Sequence, residues 1–163
     1  MDTSIRFRYA CEKDVPLILY FIKELAKYEK MLDEVYATEE LLEEWLFKQN
    51  KAEVIFAMFD DKEVGFALFF HNFSTFVGKS GIYLEDIFIL PEYRGKGYGK
   101  AIIKYLSQIA VDRKCGRLEW CCLDWNQSSI DFYLSLGAKP MSDWTIYRVT
   151  SENLKTLAES KVY

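Results

Sequence analysis

The spacing of apolar and polar positions in the first third of the chain predicts one strand followed by two helices. Residues 5–9 alternate in the manner of a half-buried strand. In residues 14–30, Asp14 stands at the expected N-cap and apolar side chains recur at helical spacing. Thr38 and the two glutamates after it predict the start of the second helix. The apolar face expected on this second helix contains Leu41, Leu42, Trp45 and Leu46.

The central part of the chain predicts three strands and a helix. Apolar runs at 54–59 and 64–70 are separated by a short polar stretch, which is typical of a hairpin. A third strand, at about 82–90, leads directly into a glycine-rich loop. The helix expected after this loop ends near Cys115 and Gly116. Its apolar face contains Ile102, Ile103, Leu106, Ile109 and Ala110.

The last third predicts a strand at 118–123, a helix capped by Asn126 and ending at Gly137, a strand at 144–149 and a short C-terminal helix. We therefore expect an α/β or α+β fold with a mixed central sheet flanked by helices. The chain has 163 residues, half of them apolar, and no linker-like tract. One domain spanning 1–163 is the expected organisation.

Composition and charge argue against several classes of protein. A net charge of -4 disfavours nucleic acid as a partner, because phosphate binding needs a concentrated basic face. No segment approaches the roughly 20 apolar residues that cross a bilayer, and the first residues lack the layout of a signal peptide. We therefore expect a cytoplasmic protein that does not bind membranes. The four cysteines and one histidine lack metal-ligand spacing, so no metal is expected.

The loop at residues 92–100 (EYRGKGYGK) places three glycines at alternate positions among basic residues. A strand, such a turn and then a helix present free backbone N–H groups at the positive end of a helix dipole, which can hold a phosphate. The P-loop spacing is absent, since Ala101 follows Lys100, and the G-x-G-x-x-G spacing is absent too. What remains is R-x-x-G-x-G at 94–99, for which an ordinary glycine-rich turn is the alternative.

Three stretches extend this motif over most of the chain: residues 24–29 (ELAKYE), 83–95 (YLEDIFILPEYRG) and 124–138 (DWNQSSIDFYLSLGA). In order and spacing they resemble the GNAT superfamily of N-acetyltransferases, and within it the spermidine/spermine (diamine) N-acetyltransferase branch with its thialysine-acetylating members. The resemblance implies the GNAT acyltransferase fold and acetyl-coenzyme A as co-substrate. It also implies direct acetyl transfer to the primary amine of a small cationic substrate in a ternary complex, and a homodimer.

The resemblance implies two catalytic residues. A lysine-like amine has a pKa of about 10.4, so roughly fewer than one molecule in a thousand is neutral at pH 7 and a proton must be removed. Glu85 matches the glutamate that relays this proton through ordered water. Tyr133 matches the family's general acid, and a phenol of pKa about 10 can protonate a departing thiolate. Asp86 is expected to point away from Glu85 unless a bulge interrupts the strand.

Coenzyme A is expected to contact three segments. The backbone partners implied for its pantetheine arm are Ile87, Phe88 and Ile89, one of which would offer its N–H to the thioester oxygen. The implied pyrophosphate loop contains Arg94, Gly95, Lys96, Gly97, Tyr98, Gly99 and Lys100. Asn126 and Ser129, at the start of a later helix, would face the same arm.

The implied amine-binding residues are Tyr28, Glu29, Glu85, Asp86, Asp143 and Trp144. The loop before the last two is shorter here than in the family. Polyamine-specific relatives carry an acidic residue and a Trp where Ser74 and Phe76 stand, so the sequence favours thialysine-like, amino-acid-like amines over long polycations.

Two other functions remain open from sequence. A protein or peptide amine acetyltransferase would need an open groove beside the thioester. A non-catalytic acyl-coenzyme A sensor would need the glycine loop but neither Glu85 nor Tyr133.

Overall fold

The computed structural model describes residues 5–161 and contains a five-stranded mixed sheet. The strands, in spatial order, are β1 (Arg6–Tyr9), β2 (Glu53–Phe59), β3 (Lys62–Ser74), β4 (Lys79–Ile89) and β5 (Leu118–Trp120). Neighbours from β1 to β4 pair antiparallel, and β5 runs parallel to β4. The helices are α1 (Val15–Tyr28), α2 (Glu39–Leu42), α3 (Tyr98–Asp112), α4 (Gln127–Ser135) and α5 (Ser151–Glu159). The predicted α/β fold with a mixed sheet is confirmed.

The core is divided between the two faces of the sheet, because strand side chains alternate. On one face, the ring of Phe21 in α1 lies 5.3 Å from that of Phe66 and 5.8 Å from that of Phe56. On the other face, Tyr105 of α3 stacks on Phe7, with ring centroids 4.4 Å apart. The sheet therefore has an α1 face and an α3 face, both apolar.

The connection between β2 and β3 confirms the predicted hairpin. Asp60 and Asp61 have φ values of 50° and 58°, and Phe59 pairs with Lys62 across the turn. Two successive residues at positive φ are the signature of a type I′ turn, a conformation that Asp tolerates better than most residues.

The second predicted helix begins as expected, but only part of its expected apolar face is buried. Thr38 caps α2 by accepting a hydrogen bond from the Leu41 N–H. The chain then continues as a π-helical turn, Glu43–Lys48. Because a π turn holds more residues than an α turn, it rotates the apolar stripe. Of the four residues expected on that face, Leu46 is buried, whereas Leu41 and Trp45 are about half exposed.

Asp14 precedes α1 as predicted, but its carboxylate does not cap that helix. It accepts hydrogen bonds from the Arg8 guanidinium and from the Cys11 N–H. The charged guanidinium of Arg8 binds the Asp14 carboxylate more strongly than the neutral N–H groups of the helix would.

The predicted strand at 144–149 is wrong. Residues 138–150 have no regular secondary structure, and the side chains of 144–149 are exposed. β-branched and aromatic residues favour an extended chain, but a strand also needs a neighbouring strand to satisfy its N–H and C=O groups. The predicted strand at 118–123 is shorter than expected and ends at Trp120.

The chain divides into two compact units, with the division after Leu123. The first contains the sheet, α1 to α3 and the glycine-rich loop, and the second contains α4 and α5. The single domain over 1–163 stays a prediction. Within residues 5–161, no helix is long and apolar enough to cross a membrane.

Candidate active site

The second half of β4 has one open edge. β5 pairs with β4 only at Ile82–Leu84. The Leu90 N–H donates to the Val64 carbonyl at 2.9 Å, and the alternation of an antiparallel ladder then turns the backbone groups of Ile87 and Ile89 away from β3. No strand among the described residues pairs with them on that side. The N–H and C=O of Ile87 and the N–H of Ile89 are placed to bind an extended ligand, whereas the Ile89 carbonyl already accepts a hydrogen bond from Arg94.

Phe88 differs from its two neighbours. It lies opposite Phe66 in a hydrogen-bonded pair, so its N–H and C=O point toward β3. The expected backbone contact between Phe88 and the pantetheine arm is therefore not supported. Its side chain is buried on the α1 face, 6.4 Å from the Tyr28 ring. Phe88 contributes to the site as an apolar support.

The glycine-rich loop adopts the conformation that its sequence favours. Gly95 and Gly97 have φ values of 74° and 81°, a region that residues with side chains rarely adopt, and no atom lies within 4 Å of a Cβ placed on either. Gly97 is the N-cap of α3, without a side-chain capping bond. The first bond of the α3 ladder runs from the Ala101 N–H to the Gly97 carbonyl. That ladder leaves open the N–H groups of Tyr98, Gly99 and Lys100.

These open N–H groups and the bare surface beside them fit a pyrophosphate. They point out of the amino end of a 15-residue helix, where the macrodipole favours an anion. Lys96 and Lys100 are exposed on the same loop and add positive charge. The third glycine, Gly99, does not have a positive φ and lies inside the first turn of α3.

A β-bulge lies where the sequence has two consecutive carboxylates. Asp86 pairs with Leu68 and Leu84 pairs with Phe69, so Glu85 is an extra residue in β4. Leu68 packs against the cluster on the α1 face. Asp86 therefore faces α1, and the alternative in which a bulge interrupts the strand is the one observed.

The carboxylates on this face have perturbed acidity. Burial, together with the negative charges of Glu85 and Glu29, raises the pKa of Asp86 to about 7. Glu29 is the C-cap residue of α1, and burial raises the pKa of its carboxyl as well. Glu85 is exposed at the bulge. Among the described residues, no Lys or Arg side chain forms a salt bridge with any of the three. The site carries negative charge that the first unit leaves uncompensated.

Arg94 connects the loop to this face. Its Nε–H donates to the Ile89 carbonyl at 2.9 Å. Its guanidinium carbon lies 4.7 Å from the ring centroid of Tyr28 and 4.9 Å from that of Phe88. Sequence reasoning assigned Arg94 to the phosphate loop and did not anticipate its contact with Tyr28, the last residue of α1.

The second unit contains the remaining expected site residues. The Asn126 side chain accepts from the Ser129 N–H at 3.3 Å and caps α4, as predicted. Tyr133 lies in α4, half-buried, with its ring 5.3 Å from that of Phe132. Asp143 and Trp144 lie in an exposed turn, and Trp144 is 73% exposed.

Sequence reasoning left the direction of Asp86 open and did not anticipate the contacts of Arg94. The signal for the first was incomplete, since two adjacent acidic residues allow a bulge but do not determine how β3 pairs with β4. The signal for the second was absent, because the contact joins segments distant in the chain.

Known proteins share this sequence and architecture. The Acetyltransferase (GNAT) family matches residues 19–138. The chain is 38% identical over 167 residues to a thialysine N-epsilon-acetyltransferase of Sus scrofa, covering 95% of this chain and 98% of the relative. It is 34% identical over 164 residues to the human spermidine/spermine N(1)-acetyltransferase-like protein 1, covering 94% of this chain and 24% of that protein.

A solved structure has the same fold. An integron cassette protein of V. cholerae superposes with a TM-score of 0.79 at 29% identity, covering 96% of this chain and 99% of the other. The matched residues contain β2 to β5, the glycine-rich loop and α4. The chain therefore belongs to the acetyltransferase (GNAT) family, and it is an acetyl-coenzyme A-dependent N-acetyltransferase.

Proposed function

We propose that this enzyme transfers the acetyl group of acetyl-coenzyme A to a primary amine of a small cationic substrate, by direct attack in a ternary complex. The observation that carries the proposal is the uncompensated negative charge of Glu29, Glu85 and Asp86 beside the open edge of β4. Glu29 and Asp86 are partly buried, and carboxylates in such surroundings without a cation favour a cationic ligand, which restores the interactions lost on burial.

The co-substrate would be held mainly by backbone groups. The pantetheine arm would lie along the open edge at Ile87 and Ile89, and one of their N–H groups would meet the thioester oxygen. The pyrophosphate would occupy the amino end of α3, with Gly95 and Gly97 providing close approach and Lys96 and Lys100 providing charge. The other residues that we assign to this co-substrate are Arg94, Tyr98, Gly99, Asn126 and Ser129.

Proton transfer would use Glu85, Asp86 and Tyr133. Glu85, exposed at the bulge, would orient the water that accepts the amine's proton. Asp86 would hold the proton, because a pKa of about 7 lets a carboxyl change protonation state at neutral pH. Tyr133 would protonate the coenzyme A thiolate as it leaves.

The amine would be recognised by Tyr28 and Glu29, together with Asp143 and Trp144. We propose thialysine-like amino acids as the leading class, with diamines and polyamines next. Pig, bovine and mouse relatives at 35–38% identity are named thialysine N-epsilon-acetyltransferases. Ser74 is buried, and its Oγ accepts a hydrogen bond from the Val77 N–H, so this position offers no carboxylate to a long polycation.

We also propose a cytoplasmic homodimer. The segment 144–149 is rich in β-branched and aromatic residues and exposes Trp144, Ile146, Tyr147 and Val149. A second copy of the chain could supply the hydrogen-bonding and apolar partners that an isolated extended segment lacks. Light scattering of the purified protein tests the oligomeric state.

The test is thiol release from acetyl-coenzyme A with thialysine, lysine, spermidine, spermine, putrescine and a short peptide. We expect turnover confined to one class of small amine, and a loss of about 100-fold or more in kcat for Tyr133→Phe. Tyr147→Phe is the matched control, because Tyr147 is an exposed tyrosine of the same unit.

Three outcomes would overturn parts of this proposal. Faster turnover of the peptide than of any small amine would indicate a protein acetyltransferase. Tight coenzyme binding without turnover on any amine would indicate a sensor. Unchanged kcat in a folded Tyr133→Phe variant would remove Tyr133 from the mechanism.

A further inference from the structure

Arg94 is held at three points by the protein itself. Its Nε–H donates to the Ile89 carbonyl at 2.9 Å, and its guanidinium lies 4.7 Å from the Tyr28 ring and 4.9 Å from the Phe88 ring. Among residues 5–161, no carboxylate forms a salt bridge with it. A side chain that serves only as a mobile phosphate ligand needs none of these contacts.

The contacts require an arginine rather than a general cation. A guanidinium is planar, stacks on aromatic rings and carries an Nε–H that points sideways from the stack. Lysine keeps the charge but loses the planar stack and the Nε donor. The structure therefore uses the shape of Arg94 as well as its charge.

Tyr28 links Arg94 to the carboxylates of the amine site. Tyr28 is the last residue of α1, and Glu29 is the C-cap residue directly after it. Glu29 acts on the acidity of Asp86 across the α1 face of the sheet. Fixing the Tyr28 ring against β4 therefore also fixes the end of α1 that carries Glu29.

We propose that Arg94 is a positioning residue for the amine site: it holds Tyr28 and the carboxyl end of α1 against β4, and so sets the affinity for the amine. This inference rests on the proposed function. The Nη groups of Arg94 stay able to donate to a coenzyme phosphate, so one side chain joins the pyrophosphate loop to the residues that recognise the amine.

The experiment separates shape from charge. KM for the amine and KM for acetyl-coenzyme A are measured for the wild type, Arg94→Lys and Arg94→Met, with whichever amine the wild type acetylates best. For Arg94→Lys we expect KM for the amine to rise about five- to tenfold, the size of a lost cation–π contact, while KM for acetyl-coenzyme A stays within about twofold. Arg94→Met is expected to raise both values.

Lys96→Met is the matched control. Lys96 also lies over an aromatic ring, with its Nζ 5.2 Å from the Tyr93 centroid, and the contacts described for it do not include α1. We expect this variant to raise KM for acetyl-coenzyme A and to leave KM for the amine unchanged. A double mutant, Arg94→Lys with Tyr28→Leu, should have nearly the same KM for the amine as Tyr28→Leu alone, because the two residues act through one contact.

The outcomes distinguish this inference from the proposed function. Wild-type turnover together with an unchanged KM for the amine in Arg94→Lys would overturn the positioning role and leave the activity standing. Additive effects of the two substitutions would overturn it as well. Absence of wild-type turnover with every amine of the panel would overturn both proposals. Thermal unfolding within about 2 °C of the wild type confirms that Arg94→Lys is folded, so that a raised KM for the amine supports the role.

Discussion

Asp14 and Asp86 are both half-buried aspartates, and their surroundings move their acidity in opposite directions. Asp14 accepts two hydrogen bonds from the Arg8 guanidinium, at 2.7 and 2.9 Å, and one from the Cys11 N–H. These lower the pKa of Asp14 to about 2. Burial and two nearby carboxylates raise the pKa of Asp86 to about 7.

The difference contrasts a structural carboxylate with the one that we propose has a role in catalysis. At Asp14 the protein supplies the cation itself, so the charge is satisfied in the folded chain and is not available to a ligand. At Asp86 no described side chain compensates the charge, and the charges of Glu85 on β4 and of Glu29 at the end of α1 add to it. A protein tolerates such repulsion at a site whose ligand relieves it.

The largest expected effect is on catalysis. Asp86→Asn should lower kcat/KM for the amine by about 100-fold, because the site loses its proton acceptor. In the wild type, kcat/KM should fall as the pH drops below about 7, where Asp86 becomes protonated. That inflection should be absent from the variant. Initial rates of thiol release between pH 5.5 and 9 measure both.

The control for this prediction is Asp61→Asn. Asp61 is an exposed carboxylate in the β2–β3 hairpin, where it pairs with Arg6. Its substitution should leave kcat/KM and the pH profile unchanged. An inflection near pH 7 that persists in Asp86→Asn would assign the titrating group elsewhere. Glu85→Gln should reduce the rate but retain the inflection.

The next largest effect is a loss of stability when Arg8, the partner of Asp14, is substituted. Arg8 also pairs with Glu63 at 2.7 Å and lies over the Phe56 ring at 4.7 Å, so Arg8→Met removes the shared partner of two carboxylates. We expect a loss of about 2 kcal/mol in the free energy of unfolding, less than for a fully buried pair because Arg8 is partly exposed. Urea unfolding at pH 7 measures the loss. A loss equal to that of Arg6→Met, at the exposed pair, would contradict the comparison.

Sequence reasoning identified the elements whose causes are local. The turn at Asp60 and Asp61, the Thr38 cap and the glycine loop before α3 all depend on a few adjacent residues with known conformational preferences. The same kind of reasoning predicted a strand at 144–149 that the structure does not contain, because pairing depends on a neighbour that local preference does not reveal. The π-helical turn Glu43–Lys48 likewise interrupts a pattern that fits an uninterrupted helix.

Part of the candidate site could also be predicted from sequence, because its causes are local. The loop residues Gly95 and Gly97 were identified because their φ values follow from residue type. The direction of Asp86 could not be read, since it depends on one extra residue in the pairing of β3 with β4. The contact between Arg94 and Tyr28 depends on tertiary packing of α1 against β4, which no local pattern encodes.

The smallest expected effect is the pH dependence of stability. The pKa of Asp86 is higher in the folded chain than in the unfolded chain, where it is about 3.9. The folded state therefore binds more protons between about pH 4 and 7, and the free energy of unfolding falls as pH rises through that window. Asp86→Asn removes this cost, so the variant should be nearly as stable as the wild type at pH 4 and more stable than the wild type at pH 8.

Asp14→Asn should behave in the opposite way. The pKa of Asp14 is lowered to about 2, so its contribution is present above about pH 4 and is lost only as the pH falls from 4 toward 2. Its substitution should cost about 1 kcal/mol at pH 4 and at pH 8 alike. Urea unfolding of the two variants at the two pH values gives four differences from the wild type. A pH-independent change in Asp86→Asn would mean that Asp86 is as well compensated as Asp14, and the amine would then have no unsatisfied charge to relieve.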